Sequence, residues 1–168
     1  MTTLFFGAII PTMGEKSGIK KFFGEYRYQI DEKMRIRLPS RFKELLGEEP
    51  VFVCGPGRCI LVYHPDAADK ALGEMFGDVK LANNKKNTAM RKIGSQATEI
   101  AEDKQGRYVL PANLAKHAEI KKNLVVVGAV YRAEIWSEEN WEKESEMTPE
   151  AFDSLFDALD DGVRNSDK

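Results

Sequence analysis

Two cysteines and two histidines among 168 residues set the first limits on this chain. Cys54 and Cys59 cannot build a disulfide framework, and a metal site made only of His and Cys would need both of them together with His64 and His117. A reducing cytoplasm is therefore expected, with neither metal nor cofactor. No apolar run approaches the roughly 18–20 residues of a membrane span. The longest, Leu4 to Ile10, stops at Pro11, and Met1-Thr2-Thr3 lacks the basic start of a secretory signal. A glycine-rich phosphate loop is missing too, since Gly55-Pro56-Gly57 is short and carries no lysine. Neither histidine has a nucleophile beside it, and the C-terminal acids read as a wet helix face rather than as a general acid and base. No enzyme and no small-molecule substrate are expected.

What is present is enough apolar material, 42% of the residues, for one compact domain or two small ones sharing a core. The net charge of −2 hides an asymmetry. Ser137 to Lys168 holds 11 acidic residues against three basic ones, a formal −8, which leaves +6 on Met1 to Trp136. A basic body with an acidic tail suits an anionic partner for the body. Between Lys80 and Lys92 five basic residues (Lys80, Lys85, Lys86, Arg91, Lys92) occur with no acid, and this segment is expected to be helical in part and to face an anion.

The chain also repeats itself. Asp31, Arg35, Leu38 and Pro39 recur as Asp103, Arg107, Leu110 and Pro111, at an offset of 72. After one residue of slippage Phe52-Val-Cys-Gly55 aligns with Val125-Val-Val-Gly128, and Ile60 to Tyr63 with Ala133 to Trp136. Two halves of this size would be marginal alone, so they are expected to share one core about a pseudo-two-fold axis. Each half reads as strand, turn, short strand, short helix and hairpin. Tyr26–Ile30 is strand-like, Asp31–Met34 a turn, and Pro39 opens a helix burying Phe42, Leu45 and Leu46 before Gly47. Val51–Val53 and Cys59–Tyr63 form a hairpin, and His64-Pro65-Asp66 starts a helix with Leu72, Met75 and Phe76 inward. In the second half Pro111 opens the helix, with Leu114 and Ile120 buried and His117 a partly buried packing residue. Ser137 is an N-cap with Trp136 and Trp141 as its hydrophobic staple. From Thr148-Pro149-Glu150 a last helix should run to Gly162, its stripe of Phe152, Leu155, Phe156 and Leu159 packing into the core.

The repeated Asp-x-x-x-Arg turn is the most informative feature. Asp at a turn start bonds backbone N–H groups further along, which accounts for Asp31, Asp103 and the turn glycine Gly106 structurally. It does not account for an arginine at the same place after each turn. Exposed guanidinium groups presented twice by a two-fold-like body match phosphate oxygens and the O6/N7 edge of guanine. A two-stranded ribbon fits the major groove of duplex DNA. The candidate DNA-facing set is Lys33, Arg35, Arg37, Lys104 and Arg107.

These motifs resemble the MraZ family, whose halves are AbrB-like swapped hairpins. The resemblance is carried by Phe23-Gly-Glu-Tyr26, Ile30-Asp31 to Arg35 and Leu38-Pro39, and by Ala97-Thr-Glu99, Asp103 to Arg107 and Leu110-Pro111. Val125 to Gly128 and Glu134-Ile-Trp136 complete it, over about Phe22 to Glu144. It implies an α+β, β-rich fold of two pseudo-symmetric AbrB-like halves around a compact β-barrel-like core, with short helices and a C-terminal helix. The expected divisions are an N-terminal extension over 1–21, expected to be disordered, a first half over 22–79, a basic linker over 80–94, a second half over 95–146 and an acidic helix or tail over 147–168. The resemblance further implies a sequence-specific DNA-binding regulator, usually a repressor, acting on repeated elements in the promoter of the division and cell-wall gene cluster, its own gene included. It implies double-stranded DNA as partner, homo-oligomeric rings, a nucleoid-associated place in the cytoplasm, and Arg35 and Arg107 as the family's DNA-contacting arginines. Met34 stands where the family pattern has glycine; a left-handed backbone there costs on the order of 1 kcal/mol. An antitoxin-like or scaffold module on the same fold, binding another protein, is the alternative that the acidic tail and its apolar stripe suggest.

Overall fold

The structure is a computed structural model that describes residues 21–166. The extension expected to be disordered lies, Lys21 apart, outside the described residues. Among the described residues eight strands and six helices follow one another in two similar runs. The first run is β1 (Glu25–Gln29), β2 (Arg35–Ile36), α1 (Ser40–Leu46), β3 (Val51–Gly55), β4 (Cys59–Tyr63) and α2 (Pro65–Phe76). After α3 (Asn84–Gly94) comes the second: β5 (Thr98–Glu99), β6 (Tyr108–Val109), α4 (Ala112–His117), β7 (Asn123–Gly128), β8 (Ala133–Ser137) and α5 (Glu138–Ser145), then α6 (Pro149–Ser166).

The strands interleave by half. One antiparallel sheet has the order β1-β7-β8-β4-β3-β5, and β2 pairs with β6 in a separate ribbon. Exchanging each strand for its counterpart in the other half returns the same order reversed. At the centre Leu61 faces Glu134, and in the ribbon Ile36 faces Tyr108, each pair being equivalent positions of the repeat. The pseudo-two-fold axis expected from the repeat thus runs through both layers, and each half lends its first strand to the other half's hairpin.

The core lies between the layers. Phe52, Ile60, Val62, Leu124, Val126 and Ile135 line the inner sheet face, and Ile36, Leu38, Tyr108 and Leu110 close it from the ribbon. Phe42 and Leu46 of α1 and Leu114 of α4 fill the flanks, Phe42 against the Phe22 and Tyr26 rings. Leu45 is half-buried. Beyond the sheet, Cys59, Leu61 and Trp136 form a second cluster against Trp141 of α5. The Trp136 and Trp141 rings stand 5.8 Å apart, and the Ser137 hydroxyl accepts the Asn140 N–H at 3.2 Å, so the cap and staple are both formed.

Four expectations are corrected. The core is not a closed barrel: β1 and β5 are separate edges, and β5, two residues long, is too short to complete a ring of strands. Met75 is exposed, because α2 meets the sheet through its first turns, where Ala68 is its one buried residue. The last helix runs through Gly162 to Ser166; glycine within a helix costs only about 1 kcal/mol. The α6 stripe does not enter the core, which is complete with residues up to Trp141; Phe152, Leu155, Phe156 and Leu159 are all exposed.

Candidate nucleic-acid interface

Each Asp-x-x-x-Arg turn is built by its own carboxylate. Asp31 Oδ1 accepts the N–H groups of Lys33 and Arg35, both at 2.9 Å, and its carbonyl accepts Met34 N–H at 3.0 Å. Asp103 does the same for Gln105 (2.8 Å), Arg107 (3.0 Å) and Gly106 (3.0 Å). Both turns place the fourth residue in the left-handed region, Met34 at φ 59° and Gly106 at φ 73°. Met34 therefore adopts the glycine geometry rather than a different turn.

The second carboxylate oxygen holds the arginine. Arg35 Nε donates to Asp31 Oδ2 at 2.6 Å; Arg107 Nε donates to Asp103 Oδ2 at 2.8 Å, and its Nη2 lies 2.8 Å from the same oxygen as an ion pair. The expectation of freely exposed guanidinium groups is thereby corrected: their side chains are 25% and 19% exposed, and one edge of each faces its own turn. Among the described residues, the two terminal nitrogens of Arg35 and Nη1 of Arg107 have no hydrogen-bond partner. The same contacts lower both carboxyl pKa values. For Asp31 the Arg35 backbone N–H is the main cause; for Asp103 the Arg107 side chain is, bringing it down to about 2.

The ribbon then sorts side chains by its alternation of faces. Ile36, Leu38, Tyr108 and Leu110 point into the core, and the opposite face carries Arg35, Arg37, Arg107 and Val109. Arg37 is exposed and donates from Nη1 to the Gln105 carbonyl at 3.1 Å, which ties the end of β2 to the second turn. Lys33 and Lys104 are exposed in the two turns, at opposite ends of the antiparallel ribbon. The fold thus brings Arg35, Arg37 and Arg107 onto one face and leaves a lysine at each end. Val109, 52% exposed opposite Arg35, was missed by the sequence reading. Its position after Tyr108 in a β-alternation was the available signal.

The family described as "MraZ protein, putative antitoxin-like" matches residues 22–88 and 93–161. The chain belongs to the MraZ family. The two MraZ matches fall one on each half, and the break between them lies inside α3. Proteins named transcriptional regulator MraZ are similar to the chain across most of its length. That of Clostridium tetani is 41% identical over 122 residues, covering 73% of this chain and 85% of the relative. That of Caldanaerobacter subterraneus is 36% identical over 137 residues, 82% and 95%. That of Heliobacterium modesticaldum is 37% identical over 140 residues, 83% and 97%. The name these MraZ relatives share is that of a regulator, not of an enzyme.

The remaining chemistry-bearing groups are structural. His117 Nε2–H donates to the Gly55 carbonyl at 2.8 Å. The Cys59 thiol, buried and pushed up to about 12, donates to the Pro56 carbonyl, and burial raises Cys54 as well. Among the described residues no helix is long and apolar enough to cross a membrane, and no cluster of His, Cys, Asp and Glu could hold a metal ion.

Proposed function

We propose that this chain is a sequence-specific DNA-binding transcriptional regulator that represses from repeated elements in the promoter of the division and cell-wall gene cluster, its own gene included. It works on nucleoid DNA in the cytoplasm as a homo-oligomeric ring whose copies engage successive repeats. Linking several modest contacts in this way raises avidity without new chemistry.

The observation that carries the reading is the outer face of the β2–β6 ribbon. Arg35 is held through Nε by Asp31, and Arg107 through Nε and Nη2 by Asp103, which leaves both terminal nitrogens of Arg35 and Nη1 of Arg107 without a partner among the described residues. A guanidinium fixed in this way loses little freedom on meeting a base edge, and bidentate contact with guanine O6/N7 discriminates by about 1–3 kcal/mol. Each of these arginines is also ion-paired with its own aspartate. The field that draws in a polyanion then falls to Lys33, Arg37 and Lys104, which have no acidic partner within 4 Å among the described residues. Base reading and phosphate attraction are thus divided between two sets of side chains.

Fluorescence anisotropy with a repeat-bearing duplex and a scrambled one, from 50 to 200 mM salt, tests this. Arg107→Ala is expected to weaken the repeat duplex by roughly tenfold or more and to abolish discrimination. Lys33→Ala with Lys104→Ala is expected to weaken both duplexes alike and to flatten the salt slope by roughly one unit for each phosphate no longer neutralised. Unchanged binding by Arg107→Ala overturns the site assignment. The protein-binding alternative rests on the exposed α6 stripe; no duplex binding at low salt, with one stoichiometric foreign protein partner, would favour it.

A further inference from the structure

The sheet face turned away from the ribbon carries a groove. Val53 and its cross-strand partner Leu61 alternate with Phe52, Ile60 and Val62, so they lie on the outer face while those three enter the core. Two helices flank them without closing over them: α2 buries only Ala68, and α3 buries no residue. The space left between the helices and the β3–β4 hairpin is about 490 Å³, walled by Leu61, Leu72, Met75 and Ile93. Small-molecule sites span roughly 300–1,000 Å³ and are mostly apolar with a few placed polar groups.

The polar groups are cationic or neutral. Lys92 is the one charged residue on the groove wall, and no Asp or Glu lines it. Gln96 follows four residues later, just past the end of α3. Its Oε1 accepts the Cys54 thiol at 3.1 Å, and its amide nitrogen donates to no acceptor among the described residues. At Gln96 and His117 the groove runs into an open recess that shares both residues and adds Arg58, Ser95, Asn113 and Lys116, again without an acid. Arg58 is already paired with Glu119. Lys92 and Lys116 are exposed and have no acidic partner within 4 Å among the described residues.

We propose that this groove binds an unbranched aliphatic carboxylate, its hydrocarbon chain between α2 and α3 and its head against the Lys92 ammonium and the Gln96 amide N–H. One molecule with an apolar chain and an anionic end matches an apolar channel with a cationic wall and mouth. A cationic amphiphile would meet Lys92 and Lys116 with like charge, and a neutral one would leave Lys92 unpaired. The single charge of a carboxylate matches the single ionic group of the wall. The ligand is held rather than converted, since burial keeps the one thiol on the wall, Cys54, neutral. Ligand and DNA would meet opposite faces of the sheet, so neither binding depends on the other.

Isothermal titration calorimetry of the full chain with octanoate, decanoate and dodecanoate, each below its micelle-forming concentration, tests the groove. Saturable binding of one molecule per chain is expected, tightening by roughly threefold to fourfold per added methylene at most. Dodecanol and dodecyltrimethylammonium should bind about tenfold more weakly or worse than dodecanoate. Lys92→Glu changes only an exposed side chain and should cost about tenfold or more. Ala71→Phe, which fills the groove from α2, should abolish binding in a chain whose circular dichroism is unchanged. Saturating dodecanoate should also slow alkylation of Cys54 by iodoacetamide, read by mass spectrometry of its peptide, which places the ligand independently of affinity. Binding that ignores the charge of the head, Lys92→Glu binding like wild type, or an unprotected Cys54 overturns the proposal. Tighter binding of dodecyl phosphate than of dodecanoate overturns the choice of a carboxylate.

Discussion

Asp103 uses its two carboxylate oxygens for different tasks, one for the N–H groups of its turn and one for the Arg107 guanidinium. Both favour the ionised form, so the folded carboxyl, at about 2, titrates well below the ~3.9 of an unfolded aspartate. The sign follows from linkage: the folded state gains in full above about pH 4, and the gain disappears as pH falls toward 2. Trp136 and Trp141 fluorescence should therefore report acid unfolding over that interval. In Asp103→Asn the part of the transition due to this group should vanish, and discrimination between duplexes should fall because Arg107 loses its hold. An unchanged acid transition and unchanged discrimination together would refute the clamp. The sequence made the backbone task of each aspartate legible, because Asp at a turn start has few other uses. The second task was not legible. Whether an arginine four residues on meets the carboxylate depends on the left-handed residue between them, which turns the chain back on itself.

The two turns are the same element written in different residues, and they should respond to mutation differently. Gly106 sits at φ 73°, where a Cβ would come within 2.8 Å of the Lys43 ammonium. Gly106→Ala is expected to cost about 1–2 kcal/mol, mostly as backbone strain, since the lysine end can move. Met34 already bears that strain and packs against the core, so Met34→Gly trades its release for poorer packing and should fall within about 1 kcal/mol of the parent. Urea melts of the two variants check the asymmetry; equal losses would mean the turns differ in more than sequence. Among the helices, the apolar period of α6 was plain in the sequence, but its destination was not. Periodicity marks a face to be covered and is silent on whether the cover comes from the same chain.

At the level of the whole molecule, strand exchange makes the halves interdependent. The β1 strand pairs with β7 of the other half, β5 with β3, and β4 with β8. A fragment of residues 21–79 or 95–146 leaves strands unpaired and half of the core uncovered, so neither should show cooperative unfolding by circular dichroism. The full chain should unfold in a single transition, and an independently melting half would contradict the exchange. The 72-residue repeat made the two-fold relation legible from sequence. Whether the sheet closes was not, because closure turns on β5 having two residues while β1 has five, and repeat identity does not fix strand length.

The unclosed sheet raises the matter of aggregation. Unpaired edges invite further strands from neighbouring molecules, a route to uncontrolled growth. One edge here, β5, offers two residues, and the other, β1, is studded with Glu25, Arg27 and Gln29, the arginine held by Glu25 and Glu138. Both borders are poor templates for amyloid-like extension, so the exposed apolar stripe of α6 is not accompanied by a sheet edge open to cross-β growth.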